Sequence, residues 1–404
     1  MPRLLLIFLG CFFVLQTHAQ SFIKGRVVNE TTNAPIAGCS IFISGTSIGT
    51  ISNSEGHFEL TNVASGKQEL IISSVGYETV VYPFTEAELP LNLKVQMSIK
   101  VQQLGNVTVE PFLEEGWDKW GQMFTDNFIG TSTNAGYCRI KNKDKIRFRY
   151  YKKSNRVIAI CDEPLQIENK ALGYTIRYQL EDFEVNFKEH TTFYLGYTLF
   201  EDNTKEGKEP KEKWQRKREE AYNGSVMHFM RSLYNNKLSE EGFEVRRMTK
   251  IPNLEKQRIR EMYKMRRVGN TVTVGFGGGA KGDSAEYYNR IMRQDDMINI
   301  YGTTLLTADS LTINTKGEEK FLAFDNYLYV TYKNEQEDEK YLQFYRESRK
   351  PTFQRSYVTI IGDEGIIIDK AGNYFNPQHF FTSAYWGWGE KIANMVPSDY
   401  VPGK

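Results

Sequence analysis

Residues 23–80 read IKGRVVNETTNAPIAGCSIFISGTSIGTISNSEGHFELTNVASGKQELIISSVGYETV, and their pattern indicates the fold of the N-terminal part of the chain. Short runs rich in β-branched residues recur about every 8–12 residues. Apolar side chains alternate within the runs, so that Phe58 and Leu60 share one face of a strand. Turn residues such as those at 53–56 separate the runs. The spacing predicts a β-sandwich.

Several positions in this stretch form a recognisable set. They are Gly25, Val27, Pro35, Gly45-Thr46, Gly49-Thr50, Gly56 with Phe58, and Gly76-Tyr77. With this set, the stretch resembles the carboxypeptidase-regulatory-like domain, which is a transthyretin-like sandwich. Cys39 stands where that family usually carries alanine. The resemblance implies a non-catalytic module at residues 22–98, of a kind that also caps many TonB-dependent outer-membrane receptors.

The first residues of the chain have the pattern of an export signal. Arg3 precedes an apolar run from Leu4 to Val14, and small residues precede a cleavage point after Ala19. Because the run is too short for a stable membrane helix, we predict a signal peptide at residues 1–19. Cys11 follows a segment that faintly resembles a lipoprotein cleavage box, so its lipidation stays open.

Export would leave Cys39, Cys138 and Cys161 in the mature chain. An odd number of cysteines leaves at least one free thiol unless two chains pair. The predicted strands around residues 145–161 do not set Cys161 opposite Cys138. We therefore predict that the cysteines are small apolar core residues, although a disulfide stays open.

A linker at residues 99–112 leads into a larger second part, residues 113–404. Its pattern predicts an α+β, β-rich domain. Trp117, Trp120, Phe124 and Phe128 have helical spacing. Further helices are predicted in residues 205–236 and 253–266. The predicted strands cover residues 137–151, 156–161, 174–187, 191–201, 270–275, 303–314, 321–333 and 356–376.

The second part also resembles uncharacterised exported proteins of the Bacteroidetes type that carry the same sandwich. Residues 164–183 and 386–402 carry this resemblance. It implies a recurrent architecture and no activity.

The charge balance excludes one class of partner. Lys plus Arg number 51 and Asp plus Glu number 50, so no basic excess points to nucleic acid. The charged segment at residues 205–220 mixes both signs and is typical of a solvated helix face.

The Gly275–Gly282 tract superficially resembles a nucleotide-binding loop. Such loops need a helix that starts at the last glycine, whereas Lys281, Gly282 and Asp283 continue the tract. An exported protein would not normally meet cytoplasmic NAD or ATP. We predict no nucleotide and no cofactor, and we interpret the tract as a loop before a helix.

The sequence gives no catalytic residue. His57, His190, His228 and His379 lack the spacing of a zinc peptidase. His228 falls opposite the apolar side of its predicted helix and is expected to face solvent. The G-x-S-x-G pattern around Ser47 lies between predicted strands instead of between a strand and a helix, so it is not a nucleophile elbow.

Aromatic residues near the C-terminus are the remaining candidates. Tyr385, Trp386 and Trp388 could stack on a sugar or contact a partner chain, although packing in the core is the more frequent role of such residues. We therefore expect an exported, non-catalytic cell-envelope protein that binds or assembles with a protein or a glycan. It would occupy the periplasm, the outer membrane or the cell surface. An envelope hydrolase and an outer-membrane barrel component are the alternatives.

Overall fold

A computed structural model describes residues 22–63, 66–100, 110–205, 208–264, 283–315, 318–362 and 365–403. These residues form two compact units, and the second contains the described residues from 110 onward. The predicted signal peptide at residues 1–19, the Gly275–Gly282 tract and the predicted strand at residues 270–275 lie outside the described residues.

The first unit consists of seven strands in two sheets. They are β1 (Ile23–Asn29), β2 (Ser40–Ile43), β3 (Gly49–Ile51), β4 (His57–Leu60), β5 (Lys67–Ser73), β6 (Val80–Thr85) and β7 (Leu91–Met97). One sheet has the order β4-β1-β7 and the other has the order β3-β2-β5-β6. Only the pairing of β1 with β7 is parallel among these strands. The predicted all-β sandwich is confirmed.

Alternation buries one face of each sheet. Phe58 and Leu60 of β4 are both buried, as their spacing predicts. A Cβ atom on Gly25 would lie 2.2 Å from the carbonyl oxygen of Leu93, so glycine is needed where β1 approaches β7. Cys39 is fully buried in this core, and Cys39, Cys138 and Cys161 all have free thiols.

The largest sheet of the second unit has seven strands. They are β8 (Phe112–Glu115), β9 (Cys138–Ile140), β10 (Arg147–Tyr151), β11 (Arg156–Ile160), β12 (Leu165–Asn169), β13 (Tyr174–Asn186) and β14 (Thr191–Asp202). The order is β8-β10-β11-β13-β12-β9, and β14 pairs with β13. The predicted strand at residues 137–151 is two strands, because a 3₁₀ turn at Lys143–Lys145 interrupts it.

The described residues of the second unit form two further sheets. Their strands are β15 (Phe243–Pro252), β16 (Met297–Tyr301), β17 (Thr312–Asn314), β18 (Lys320–Leu322), β19 (Tyr327–Gln336), β20 (Phe353–Ile360), β21 (Ile366–Ile368), β22 (Tyr374–Phe375) and β23 (Phe380–Ala384). The orders are β16-β15-β19-β20-β23 and β17-β18-β21-β22. The sequence analysis did not predict β8, β12, β15, β16 or β23, and the region 356–376 holds parts of three strands instead of one.

The described α-helices all lie in the second unit. They are α1 (Trp117–Phe128), α2 (Glu212–Tyr222), α3 (Val226–Tyr234), α4 (Leu254–Lys264), α5 (Asp283–Met292), α6 (Glu339–Phe344) and α7 (Tyr385–Gly389). The predicted amphipathic helix α1 buries Phe124 and Phe128 against the largest sheet. None of the described helices has the length and the apolar composition needed to cross a bilayer. The predicted α+β, β-rich second part is confirmed.

Candidate functional site

Helix α7 carries the aromatic residues that the sequence selected. The strand β23 ends at Ala384, and α7 begins at the next residue. Ala384 has φ 59° and ψ −127°, a combination that favours glycine strongly. An alanine there costs about 1–3 kcal/mol and persists only when surrounding packing holds it. The packing of α7 supplies that constraint.

Trp386 and Trp388 anchor α7 to the rest of the unit. Their side chains are only 3% and 5% exposed. The Trp386 indole N–H donates to the carbonyl oxygen of Gly224 at 2.6 Å, and the Trp388 indole N–H donates to Thr131 Oγ1 at 2.9 Å. Because both polar atoms are already paired, these residues are suited to forming walls of a site.

Tyr385 is half-buried beside them. Its hydroxyl oxygen accepts a hydrogen bond from the backbone N–H of Asp338 at 3.2 Å, and its ring lies 5.2 Å from the ring of Tyr341. Burial raises the pKa of the Tyr385 hydroxyl above its usual range. The structure brings Tyr385, Trp386 and Trp388 together, and their contact with a ligand or partner stays a prediction.

A polar cavity of about 480 Å³ adjoins α7. We call it the polar cavity. Its walls include the three aromatic residues together with carboxylate and amide side chains from α2, β19 and β20 and from the residues that follow α2 and α7. These polar residues include Glu220, Asn223, Glu335, Gln354 and Glu390.

Two carboxylates in the polar cavity hold protons unusually tightly. Burial raises the pKa of Glu335 to about 7, and the nearby negative charges of Glu219 and Glu220 add to this effect. The side-chain amide of Gln354 donates to Glu335 at 3.3 Å. Burial also raises the pKa of Glu390 to about 7. Both groups can therefore exchange protons near neutral pH.

Glu390 lies at the start of α3. Its Oε1 atom accepts the backbone N–H of Val226, the first residue of that helix, at 3.2 Å. A helix N-terminus favours a carboxylate, and this contact lowers the pKa, but burial has the larger effect. The neighbouring Lys391 is half-buried, and partial burial lowers its pKa.

A second cavity, of about 550 Å³, shares Trp386, Trp388 and Glu390 with the first. We call it the aromatic cleft. Phe344, Tyr345 and Phe381 line it and are 55%, 48% and 41% exposed. The polar side chains that line it include Asp126, Asn127, His190 and Gln378.

The structure contradicts the prediction that His228 faces solvent, because its side chain is buried. Its Nδ1 atom accepts the backbone N–H of Gly224 at 3.1 Å, and Nε2 lies 3.3 Å from Glu241. Burial lowers the pKa of the imidazole. The prediction was wrong because the rings of Tyr222 and Phe243 cover the side of α3 that helical periodicity assigned to solvent.

The turn that begins α7 carries no nucleophilic side chain at its central residue, Ala384. The turn at Ala384 joins a strand to a helix, the setting in which a nucleophile elbow places its serine, but alanine supplies no nucleophile. Within the described ranges, no group of three or more His, Cys, Asp or Glu residues is arranged to hold a metal ion. The site offers aromatic faces, amides and titratable carboxylates.

Sequence reasoning missed Glu335, Glu390, Phe344 and Tyr345. Glu390 follows the aromatic segment closely, so its position was a usable signal. Glu335 lies within the charged segment NEQEDE at residues 334–339, which carries no signal of burial. Phe344 and Tyr345 end a short helix that the pattern did not predict.

Comparison with known proteins identifies the first unit. Residues 23–109 match the model of the CarboxypepD_reg-like domain. The TonB-dependent receptor SusC of Bacteroides thetaiotaomicron is 28% identical over 97 residues, which are 24% of this chain and 9% of the receptor. The chain therefore spans less than a tenth of the length of this curated relative.

The comparison with solved structures finds weak similarities to this chain. A type II cohesin–X-dockerin complex from Acetivibrio cellulolyticus shows 21% identity over 29% of this chain and 80% of that chain, with a TM-score of 0.17. A putative membrane-associated protein of unknown function from Bacteroides fragilis shows 8% identity over 86% of this chain and 93% of that chain, with a TM-score of 0.16. Similarities with such low TM-scores carry no argument. The sequence match and the observed sandwich agree, and the N-terminal part of this chain is a carboxypeptidase-regulatory-like domain.

Proposed function

We propose that the chain is an exported cell-envelope protein whose second unit binds a glycan in the aromatic cleft, without catalysis. The signal-like segment at residues 1–19 and the similarity of the first unit to part of an outer-membrane receptor support the envelope location. The assignment of residues 22–98 and 113–404 to separate domains, joined by a linker at 99–112, is part of this proposal.

The observation that carries the proposal is the lining of the aromatic cleft. Phe344, Tyr345 and Phe381 expose ring surface to the cleft in a unit whose other described aromatic residues are mostly buried or half-buried. Sugar rings present C–H groups that pack on aromatic faces, and their hydroxyls bond to side chains such as Asp126 and Gln378. A concave site with both features suits a glycan.

The test is titration calorimetry with soluble peptidoglycan fragments and with neutral oligosaccharides of glucose and mannose. Phe381→Ala should weaken binding about five- to tenfold, since one aromatic contact contributes about 1 kcal/mol. Phe353→Ala is the matched control, because Phe353 is 43% exposed and does not line the cleft. Equal effects of the two substitutions, or no binding of any of these probes, would refute glycan binding in the cleft.

A second candidate function is an envelope hydrolase acting in the polar cavity. Glu335 and Glu390 favour it, because two carboxylates that titrate near pH 7 could serve as general acid and base toward a bond held between them. A screen of glycosidase and peptidase substrates tests this candidate. Activity that Glu335→Gln or Glu390→Gln abolishes would establish it, and activity unchanged by both would place catalysis elsewhere.

A further inference from the structure

The strand β16 forms an edge of the five-stranded sheet. Met297–Tyr301 pair with β15 along their full length, from Pro252 opposite Met297 to Met248 opposite Tyr301. Among the described residues, β16 has no strand on its other side. An edge strand of this kind exposes a row of backbone groups that can pair with another strand.

The pairing with β15 fixes which backbone groups point outward. The N–H of Gly302 donates to Arg247, and the N–H of Asn253 donates to Asp296. Hydrogen-bonded pairs alternate along an antiparallel ladder, so the backbone groups of residues 296, 298, 300 and 302 point toward β15. Those of Met297, Asn299 and Tyr301 therefore point away from the sheet.

The side chains of β16 do not protect this edge. Met297, Ile298, Ile300 and Tyr301 are between 42% and 49% exposed, and the strand contains no charge and no proline. Proteins usually block an open edge with lysine, proline or a bulge. An apolar, unblocked edge is typical of a strand that pairs with another chain.

The strand is complementary to a second copy of itself. In an antiparallel pair centred on Asn299, Met297 lies opposite Tyr301 and Ile298 lies opposite Ile300. Asn299 then lies opposite its own copy. This register pairs the outward backbone groups of residues 297, 299 and 301 with one another. A two-fold axis produces such a self-complementary contact.

The charges at the two ends of β16 agree with this register. Asp295 precedes the strand and lies opposite Thr303 of the second copy. The guanidinium of Arg246 donates to the carbonyl oxygen of Thr303 within each chain. The register therefore places the acidic end of each strand near an arginine of the other copy and keeps like charges apart.

We propose that two copies of the chain associate through β16, antiparallel about Asn299, and join their five-stranded sheets into one ten-stranded sheet. The Tyr301 side chain is already fixed in position at this edge. Its hydroxyl shares a hydrogen bond of 2.9 Å with the Tyr357 hydroxyl, and its ring centroid lies 4.7 Å from that of Tyr329. The inference is independent of glycan binding, since β16 lines neither cavity.

Sedimentation of the purified chain, from about 1 to about 100 µM, tests the proposal. The wild-type chain should sediment at twice the mass of one chain. Asn299→Asp and Asn299→Lys each place like charges directly opposite, and each should raise the dimer dissociation constant at least about tenfold. An equimolar mixture of the two variants should dimerise again, because the charges are then opposite.

Asn314→Asp is the matched control, since Asn314 is an exposed asparagine on the edge strand β17. It should leave the dimer intact. Asn299→Cys gives a second readout, because hydrogen-bonded residues across an antiparallel pair have Cα atoms about 5.5 Å apart, within disulfide range. Oxidation should cross-link this variant to its own copy. A monomeric wild-type chain, or a dimer unaffected by both charged variants, would overturn the proposal.

Discussion

The polar cavity and the aromatic cleft share Trp386, Trp388 and Glu390, whereas their other walls have contrasting chemistry. Carboxylates and amides dominate the walls that belong to the polar cavity alone. The exposed rings of Phe344, Tyr345 and Phe381 line the aromatic cleft but not the polar cavity. The difference indicates that one rigid element, α7, supports two sites that substitutions can separate.

The largest effect should come from the shared wall. Trp386→Ala should lower the free energy of unfolding by about 3–5 kcal/mol, since a fully packed tryptophan and its hydrogen bond to Gly224 are lost. Urea denaturation measures this change. Tyr137→Ala removes a ring that is 54% exposed and should cost less than about 0.5 kcal/mol. Similar losses for both variants would contradict the anchoring role of Trp386.

A smaller effect should separate the two sites. Tyr345→Ala should weaken glycan binding about tenfold, which corresponds to about 1.4 kcal/mol, through loss of ring contact in the cleft. Glu335→Gln lies in the polar cavity and should leave that affinity unchanged. Calorimetry on both variants checks the pair. Loss of affinity in Glu335→Gln alone would assign the ligand to the polar cavity instead.

The raised pKa of Glu335 in the polar cavity predicts that the stability of the protein depends on pH. Glu335 has a pKa of about 7 in the folded chain and an ordinary value of 4.5, so the folded state holds its proton more tightly. This contribution to stability is complete below about pH 4.5 and is lost as the pH rises through about 7. The partial exposure of Glu335 limits the difference to the order of 1 kcal/mol.

The measurement is urea denaturation at about pH 5 and about pH 8. The stability of the wild-type chain should fall over this interval by more than that of Glu335→Gln. Glu286→Gln, at an exposed position on α5, is the control and should follow the wild type. Parallel curves for wild type and Glu335→Gln would show that burial does not perturb this carboxylate.

The smallest expected change in stability concerns Ala384, in the turn between β23 and α7. Ala384→Gly should raise the free energy of unfolding by up to about 1 kcal/mol, because glycine adopts φ 59° without strain while losing more chain entropy on folding. Urea denaturation measures the difference. A clear loss of stability would mean that the Ala384 methyl group contributes more through packing than its backbone costs.

The two sites also show how far sequence patterns reach. The aromatic residues 385–388 lie on one short helix because they are adjacent in sequence, and their contact with a ligand or partner stays a prediction. Asp126, Glu335 and Phe344 line the two cavities beside this segment, but they are far from it in sequence. No local sequence pattern predicts that they lie near it. The prediction that His228 faces solvent was wrong for a related reason. Helical periodicity predicts one buried face of a helix, and it cannot predict that another element covers the opposite face.

The sandwich of the first unit is predictable from the amino-acid sequence alone. Its alternating strands, tight turns and required glycines act over short distances, so each is readable from neighbouring residues. The properties of the two cavities and of β16 depend on how distant segments of the chain pack together. The packed unit buries Trp386 and Trp388 and raises the pKa of Glu335 and Glu390, and within the described part of the chain it leaves β16 without a strand on its outer side. These properties depend on which distant elements pack against a residue, and burial is set by the packed unit as a whole.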